Sequence, residues 1–287
     1  MLQHGENIMI TGDLGFMAFE TLQEKLGNRF INAGVAEQNM ISVAAGLAHE
    51  HFLPWVYSIA PFAVFRPYEQ IRNDVCMHRL PVRIVGNGGG YGYGIMGATH
   101  HALEDIAVMR TLPNMHVFVP ATSADIDTVI QQISEIDGPV YLRLNTPAAF
   151  PKNAQPFGPW RHVQKGEKGV IIGTGPVLGN IFSLQDKELP GFFDIWAAGV
   201  LPLHPMPESL VESILRTGKV VVIEEHSAEC GLNESVARHL VKLNRKIEFK
   251  SISASGYPSG RYGSQKWHQS ESGLCGTGLQ NNLRSIL

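Results

Sequence analysis

Three clusters in the first half of the chain have residue types and spacings that could do chemistry. The first is Gly34-Val35-Ala36-Glu37-Gln38-Asn39-Met40. Glu37 falls in the first turn of a helix expected over Ala36–His49, where positions 37, 41, 44 and 48 form one stripe of Glu, Ile, Ala and Ala. Such an acid has two readings: a first-turn residue favoured by the helix dipole, or a carboxyl in an apolar niche, where desolvation favours keeping a proton. The second cluster is Pro61–Tyr68, in which Phe62, Phe65 and Tyr68 recur at every third position. It reads as core packing or as a slot for a flat aromatic ring. The third holds seven glycines between Gly86 and Gly97 and ends in Thr99-His100-His101. It fits neither the GxGxxG register nor a GK[ST] phosphate loop, so support for a dinucleotide site is weak. The paired histidines read as a cap and a core residue, or as a site base.

These clusters need elements to hold them. Apolar runs at Asn7–Thr11, Arg29–Asn32, Leu53–Ser58, Pro81–Val85, Met115–Val119 and Val140–Leu144 read as strands. Helical patterns at Phe16–Leu26, Ala36–His49, Pro61–Met77, Leu103–Leu112 and Ser123–Ile136 lie between them. That alternation predicts βαβ units and a parallel sheet. Residues 147–167 carry Pro147, Pro151, Pro156 and Pro159 with little periodicity and read as a linker. Strands at Gly169–Gly173, Phe193–Ala197, Val220–Glu224 and Glu248–Ser251, with helices at Ser209–Arg216 and Ser235–Leu243, predict a second, smaller unit. The fold class expected is α/β, two doubly wound, mostly parallel sheet domains at 1–146 and 168–287. The Gly- and Ser-rich tail beyond Gly256 has no readable pattern.

Composition narrows the field. Of the 287 residues 44% are hydrophobic and only 17% charged, against about 25% charged in ordinary globular chains. That pattern excludes disorder and points to a large core or a subunit contact. With 23 Lys+Arg against 26 Asp+Glu, and no basic stripe, nucleic acid is not an expected partner. No apolar run nears the roughly 20 residues a membrane span needs, and residues 1–10 lack the pattern of a secretion signal. Cys76, Cys230 and Cys275 are far apart, which fits a reducing, cytoplasmic compartment and gives no zinc spacing.

GVAEQNM followed by AAGLA, then PFAVF, then GATHHALEDIAVMRTLPNM, resembles the C-terminal half of transketolases. It is also similar to deoxyxylulose-phosphate synthases and the β subunits of 2-oxo acid dehydrogenases, all thiamine-diphosphate enzymes. The likeness runs from about Thr11 to Asn145 and continues more weakly to Ala237 through Glu224-Glu225-His226-Ser227. It implies that Glu37 hydrogen-bonds a ring nitrogen of the cofactor's aminopyrimidine, whose own amino group then takes the proton from the reacting carbon. It implies that Val35, Phe62, Phe65 and Tyr68 pack on that ring, and that Asp13 lies near the cofactor and a subunit contact. His100 would steady substrate hydroxyls or a developing alkoxide. Arg143 would hold a sugar phosphate, or else form an ordinary ion pair at a strand end. Arg66 resembles an arginine of deoxyxylulose-phosphate synthases rather than of transketolases.

The departures matter as much. These families bind the diphosphate through Mg2+ or Ca2+ held by a GDG…N segment. Here only Gly12-Asp13-Leu14 comes near, and it lacks the second glycine. The resemblance therefore implies a partner, an N-terminal-half subunit carrying GDG, in an α2β2 heterotetramer with sites between the chains. Met96 stands where transketolases usually carry an aspartate that reads a substrate hydroxyl. The leading expectation is a split transketolase-like subunit moving a two-carbon ketol unit from a ketose to an aldehyde. The alternatives are a decarboxylating member acting on a 2-oxo acid, a non-catalytic scaffold, and a nicotinamide-binding module. His49, His51, His204 and His226 are expected to be structural or surface residues.

Overall fold

The strand Asn7–Thr11 (β1) shows how the first half buries a sheet on both faces. Ile8 and Ile10 pack with Met40, Ile41 and Ala44 of helix α2 (Glu37–His49). Met9, between them, points the other way and joins Leu26 of α1 (Glu20–Leu26) and Ile133 of α6 (Ile126–Ser134). The alternation is the two-residue period of a strand, and a parallel strand apolar on both faces needs helices on both. The protein is described by a computed structural model over residues 6–257 and 260–287.

β1 pairs in parallel with β2 (Phe30–Asn32) and β3 (Leu53–Ile59). The ladder continues in parallel through β4 (Arg83–Asn87), β6 (Val140–Leu144) and β5 (His116–Phe118). The second sheet has the order β12-β11-β8-β9-β7. Its strands β8 (Gly169–Gly173), β9 (Phe193–Ala198), β11 (Lys219–Ile223) and β12 (Glu248–Ile252) are parallel. Val170, Val220 and Val222 face α7 (Glu208–Thr217) and α8 (Leu232–Lys242). Ile171 and Val221 face α10 (Gly276–Arg284). No helix among the described residues is long and apolar enough to cross a membrane.

Four features differ from the sequence expectation. The helix expected over Pro61–Met77 is three pieces: α3 (Ala60–Val64), α4 (Tyr68–Gln70) and a π turn over Ile71–Cys76. Pro67 supplies no N–H and crowds the turn before it, so the helix breaks there. Inside the proline-rich stretch, Trp160–Gln164 (β7) pairs antiparallel with β9. Val200–Leu201 (β10) returns from the second half to pair antiparallel with β5, so the first sheet has seven strands. The tail forms α9 (Gln265–Glu271) as well as α10.

Because the six parallel strands of the first sheet run the same way, the loops after β1, β2, β3 and β4 gather at one edge. This is where open α/β sheets place ligand crevices. Glu37, Phe62, Arg66 and His100 all lie on those loops or the helix starts that follow them.

Candidate active site

Glu37 is the first residue of α2, reached through Gly34 in the left-handed region (φ +72°). Its carboxylate is almost enclosed, at 4% exposure, and Arg66 Nη1 lies 2.9 Å and 3.0 Å from its two oxygens. The Arg66 side chain remains 44% exposed. Its guanidinium carbon sits 3.9 Å from the centroid of the Phe62 ring. Phe62 in turn meets His100 edge to face at 5.0 Å, and Thr99 Oγ1 is 3.0 Å from His100 Nδ1. Glu37, Arg66, Phe62 and His100 thus form one connected row along the carboxyl edge of the sheet.

The row borders an open groove of about 610 Å³ lined by Val35, Ala36, Glu37, Gln38, Asn39 and Arg66. Val35 is 71% exposed, and Phe65 is also exposed. The expectation of a carboxyl alone in an apolar niche is corrected: the nearest partner of Glu37 is a guanidinium. Asp13 lies beside the groove, with its carboxylate Oδ1 accepting from Asn32 Nδ2 at 2.9 Å. Asn32 Oδ1 accepts from the backbone N–H of Asp13 and of Gly34, each at 3.0 Å. Asn32 therefore ties the Asp13 loop to the turn that presents Glu37, a role the sequence reading missed. A polar residue at the carboxyl end of a strand was the available signal.

Two expected site residues lie elsewhere. Tyr68 turns away from the Phe62 ring: its hydroxyl donates to the carbonyl of Val108 at 3.2 Å, on α5 (Asp105–Arg110), and lies 3.2 Å from Thr111 Oγ1. The break at Pro67 removed the register that would have aligned it. Arg143 is 3% exposed, with Nε 2.8 Å from Asp105 Oδ2 and Nη2 donating to the carbonyls of Ala102 and Glu225. It is a buried strut between the two halves, and no donor of a substrate phosphate reaches the groove from it.

The glycine-rich loop belongs to that same junction. Glu225 Oε1 accepts from the Tyr91 backbone N–H at 2.8 Å, and Oε2 accepts from Gln269 Nε2 at 2.7 Å, while Gln265 Nε2 donates to both oxygens. A Cβ on Gly90 would stand 2.7 Å from Glu225 Cγ, so the close approach demands glycine. Tyr91 stacks on His268 at 4.8 Å and donates to the carbonyl of Gly256. Burial raises the Glu225 carboxyl above the usual glutamate range and pushes His226 and His101 below the usual histidine range. Glu225, Gln265 and Gln269 were not readable as a set, since the two glutamines lie 40 and 44 residues after Glu225, inside the unpatterned tail. Glu224 accepts from the N–H groups of Leu232 and Asn233 and caps α8.

Comparison with known proteins bears on the family and the fold. Residues 3–150 match the family described as transketolase, pyrimidine binding domain. A 6-deoxy-6-sulfo-D-fructose transketolase subunit from a Clostridium species is 33% identical over 225 residues, 76% of this chain and 69% of that protein. A 1-deoxy-D-xylulose-5-phosphate synthase from Clostridium perfringens is 27% identical over 272 residues, covering 92% of this chain but 44% of the synthase. The chain thus spans less than half the length of that relative. A solved structure described as a split gene transketolase, inactive beta4 tetramer, superposes with a TM-score of 0.82 at 31% identity, covering 99% of this chain and 93% of the other. The pyrimidine-binding match covers more than half the chain, the solved split transketolase superposes on nearly all of it, and the chain belongs to the transketolase family.

Proposed function

We propose that this chain is the pyrimidine-binding subunit of a two-chain, thiamine-diphosphate-dependent transferase that moves a two-carbon ketol unit from a ketose to an aldehyde. The observation that carries the reading is the enclosed Glu37 carboxylate at the head of an open groove, beside the exposed Val35 and Phe65 and the row that ends in His100. That donor set fits the aminopyrimidine end of the cofactor: a carboxylate for a ring nitrogen and aromatic or aliphatic faces for the flat ring. Among the described residues no group of three or more His, Cys, Asp or Glu could hold a metal ion. The metal and diphosphate end is assigned to a partner subunit carrying GDG, with Mg2+ or Ca2+, in an α2β2 assembly.

The roles follow from position. Glu37, its direction fixed by the helix start, would hold the cofactor's ring nitrogen through a hydrogen bond and share a proton with it. Val35, Phe62 and Phe65 would pack on the ring and keep water from it. Asp13 and Asn32 brace the turn that presents Glu37. His100, held at Nδ1 by Thr99, offers Nε2 to a substrate hydroxyl. Bound thiamine diphosphate would supply the nucleophilic carbon and the electron sink for C–C cleavage. The loops at this edge also expose Phe16, Met17, Ile95 and Met96, an apolar rim of the kind that a second chain covers.

One observation favours a decarboxylating reading: Arg66, half exposed at the groove, is a cation that would receive the carboxylate of a 2-oxo acid. The deciding experiment reconstitutes this chain with its partner and cofactor. A ketose and an aldehyde are supplied in one arm and carboxyl-labelled pyruvate in the other. Chain-lengthened sugar without labelled carbon dioxide supports the transfer; release of label overturns it.

A further inference from the structure

In this structure the Glu37 carboxylate and one face of the Phe62 ring are already engaged, and one residue engages both. Arg66 places Nη1 within 3.0 Å of both Glu37 oxygens while its guanidinium carbon lies 3.9 Å from the Phe62 centroid. A guanidinium is flat, cationic and rich in N–H donors. It therefore occupies, toward Glu37 and Phe62, the two places an aminopyrimidine would need: a hydrogen bond with the carboxyl and a position over the aromatic ring. We infer that Arg66 is an internal stand-in for the cofactor ring, holding the site closed until the cofactor displaces it. The inference rests on the assignment of the Glu37 groove to the cofactor.

The local chain is built for release. Arg66 lies in the break between α3 and α4, outside any helix, and is followed by Pro67. Only one of its terminal nitrogens bonds the carboxylate, and its side chain is 44% exposed while Glu37 is 4% exposed. The chain's buried arginine pairs are different. The side chains of Arg143 and Asp105 are 3% and 0% exposed, and Arg161 with Asp125 is closed in the same way. An exchange at Glu37 breaks one half-exposed ion pair, a small cost, and, with one proton taken up from water, leaves the carboxyl hydrogen-bonded to a ring nitrogen. The displaced guanidinium returns to water.

The test is equilibrium binding of thiamine diphosphate with Mg2+ to the assembled two-chain complex, wild type against Arg66→Ala and Arg66→Lys. Loss of the competitor tightens binding by Arg66→Ala about two- to fivefold, the worth of a half-exposed pair. Arg66→Lys, which keeps the charge without the flat face, falls between the two. The ratio between wild type and Arg66→Ala shrinks as salt is raised, because the competing pair is screened. In a Glu37→Gln background the Arg66→Ala effect disappears. Unchanged or weaker binding by either Arg66 variant in a normally assembled complex overturns the inference, since Arg66 is then a bystander or a cofactor ligand. Absence of binding by every form, wild type included, overturns the cofactor assignment itself.

Discussion

Two arginine–carboxylate pairs set the groove and the interdomain junction apart. At the junction, Arg143 and Asp105 are sealed from water, and further donors and acceptors from Tyr141, Ala102 and Glu225 surround them. At the groove, Arg66 stands half in solvent, Val35 is largely exposed and Phe65 is partly so. Both regions drew notice in the sequence, one for its glutamate and the other for its glycines and histidines. The difference is that the junction's groups bond mainly within the chain, with Asp105 Oδ1 and His101 Nδ1 the atoms left without a partner among the described residues there, whereas the groove keeps much of its lining exposed, as the proposed ligand and second subunit would require. A residue type therefore marks a candidate, and what surrounds it decides between support and chemistry.

Stability measurements break or sharpen that contrast. Arg143→Ala leaves Asp105 and the Glu225 carbonyl short of a donor in a buried place, so it lowers unfolding stability by about 3–5 kcal/mol. Urea unfolding checks this, and a loss below about 1 kcal/mol, the level of an exposed pair, would remove the distinction between the two sites. Next comes Gly90→Ala, which puts a Cβ 2.7 Å from Glu225 Cγ at φ +65°. The backbone strain alone is worth about 1–3 kcal/mol. Gly34→Ala, at φ +72° with open space around it, carries strain without the clash and costs less in the same unfolding experiment.

Acid acts on the junction through its histidines. Burial lowers His101 and His226 in the folded state, so the unfolded chain binds more protons once pH drops below the ordinary histidine range. Stability present above about pH 6.5 is then lost as pH falls toward the folded values, by up to about 1.4 kcal/mol per unit for each histidine. His226→Gln flattens the dependence between pH 5 and 7 in denaturant midpoints, and an unchanged slope would mean that these rings do not couple folding to pH. The smallest effect belongs to the groove: Arg66→Ala changes unfolding stability by less than about 1 kcal/mol, read by the same urea curves.

Much of this architecture was legible because periodicity is local. The strands at Val140–Leu144 and Gly169–Gly173 coincide with their apolar runs, and α2 begins one residue from its expected start. Glu37, Phe62, Arg66 and His100 sit close together because each follows a parallel strand of one sheet, and strand–helix alternation announces that geometry. What was hidden depends on pairing at long range. β7 pairs through a short alternation masked by prolines, and β10 is two residues long and finds its partner some 80 positions away. The α9 cap, in which Ser264 Oγ accepts from the Trp267 N–H, is buried in a Gly- and Ser-rich tail. The family resemblance places Arg143 and Tyr68 at the groove, yet their partners lie 38 and 40 residues distant, where no local pattern points.

In the proposed function the Glu37 carboxylate activates a cofactor held between this chain and a partner. Turnover of the reconstituted complex carrying Glu37→Gln tests it most directly, with thermal unfolding and size measured in parallel. The account predicts a loss of about 10²- to 10⁴-fold, the range for a positioned proton-transfer group, with fold and assembly intact. Turnover within about twofold of wild type in a normally assembled complex would contradict it.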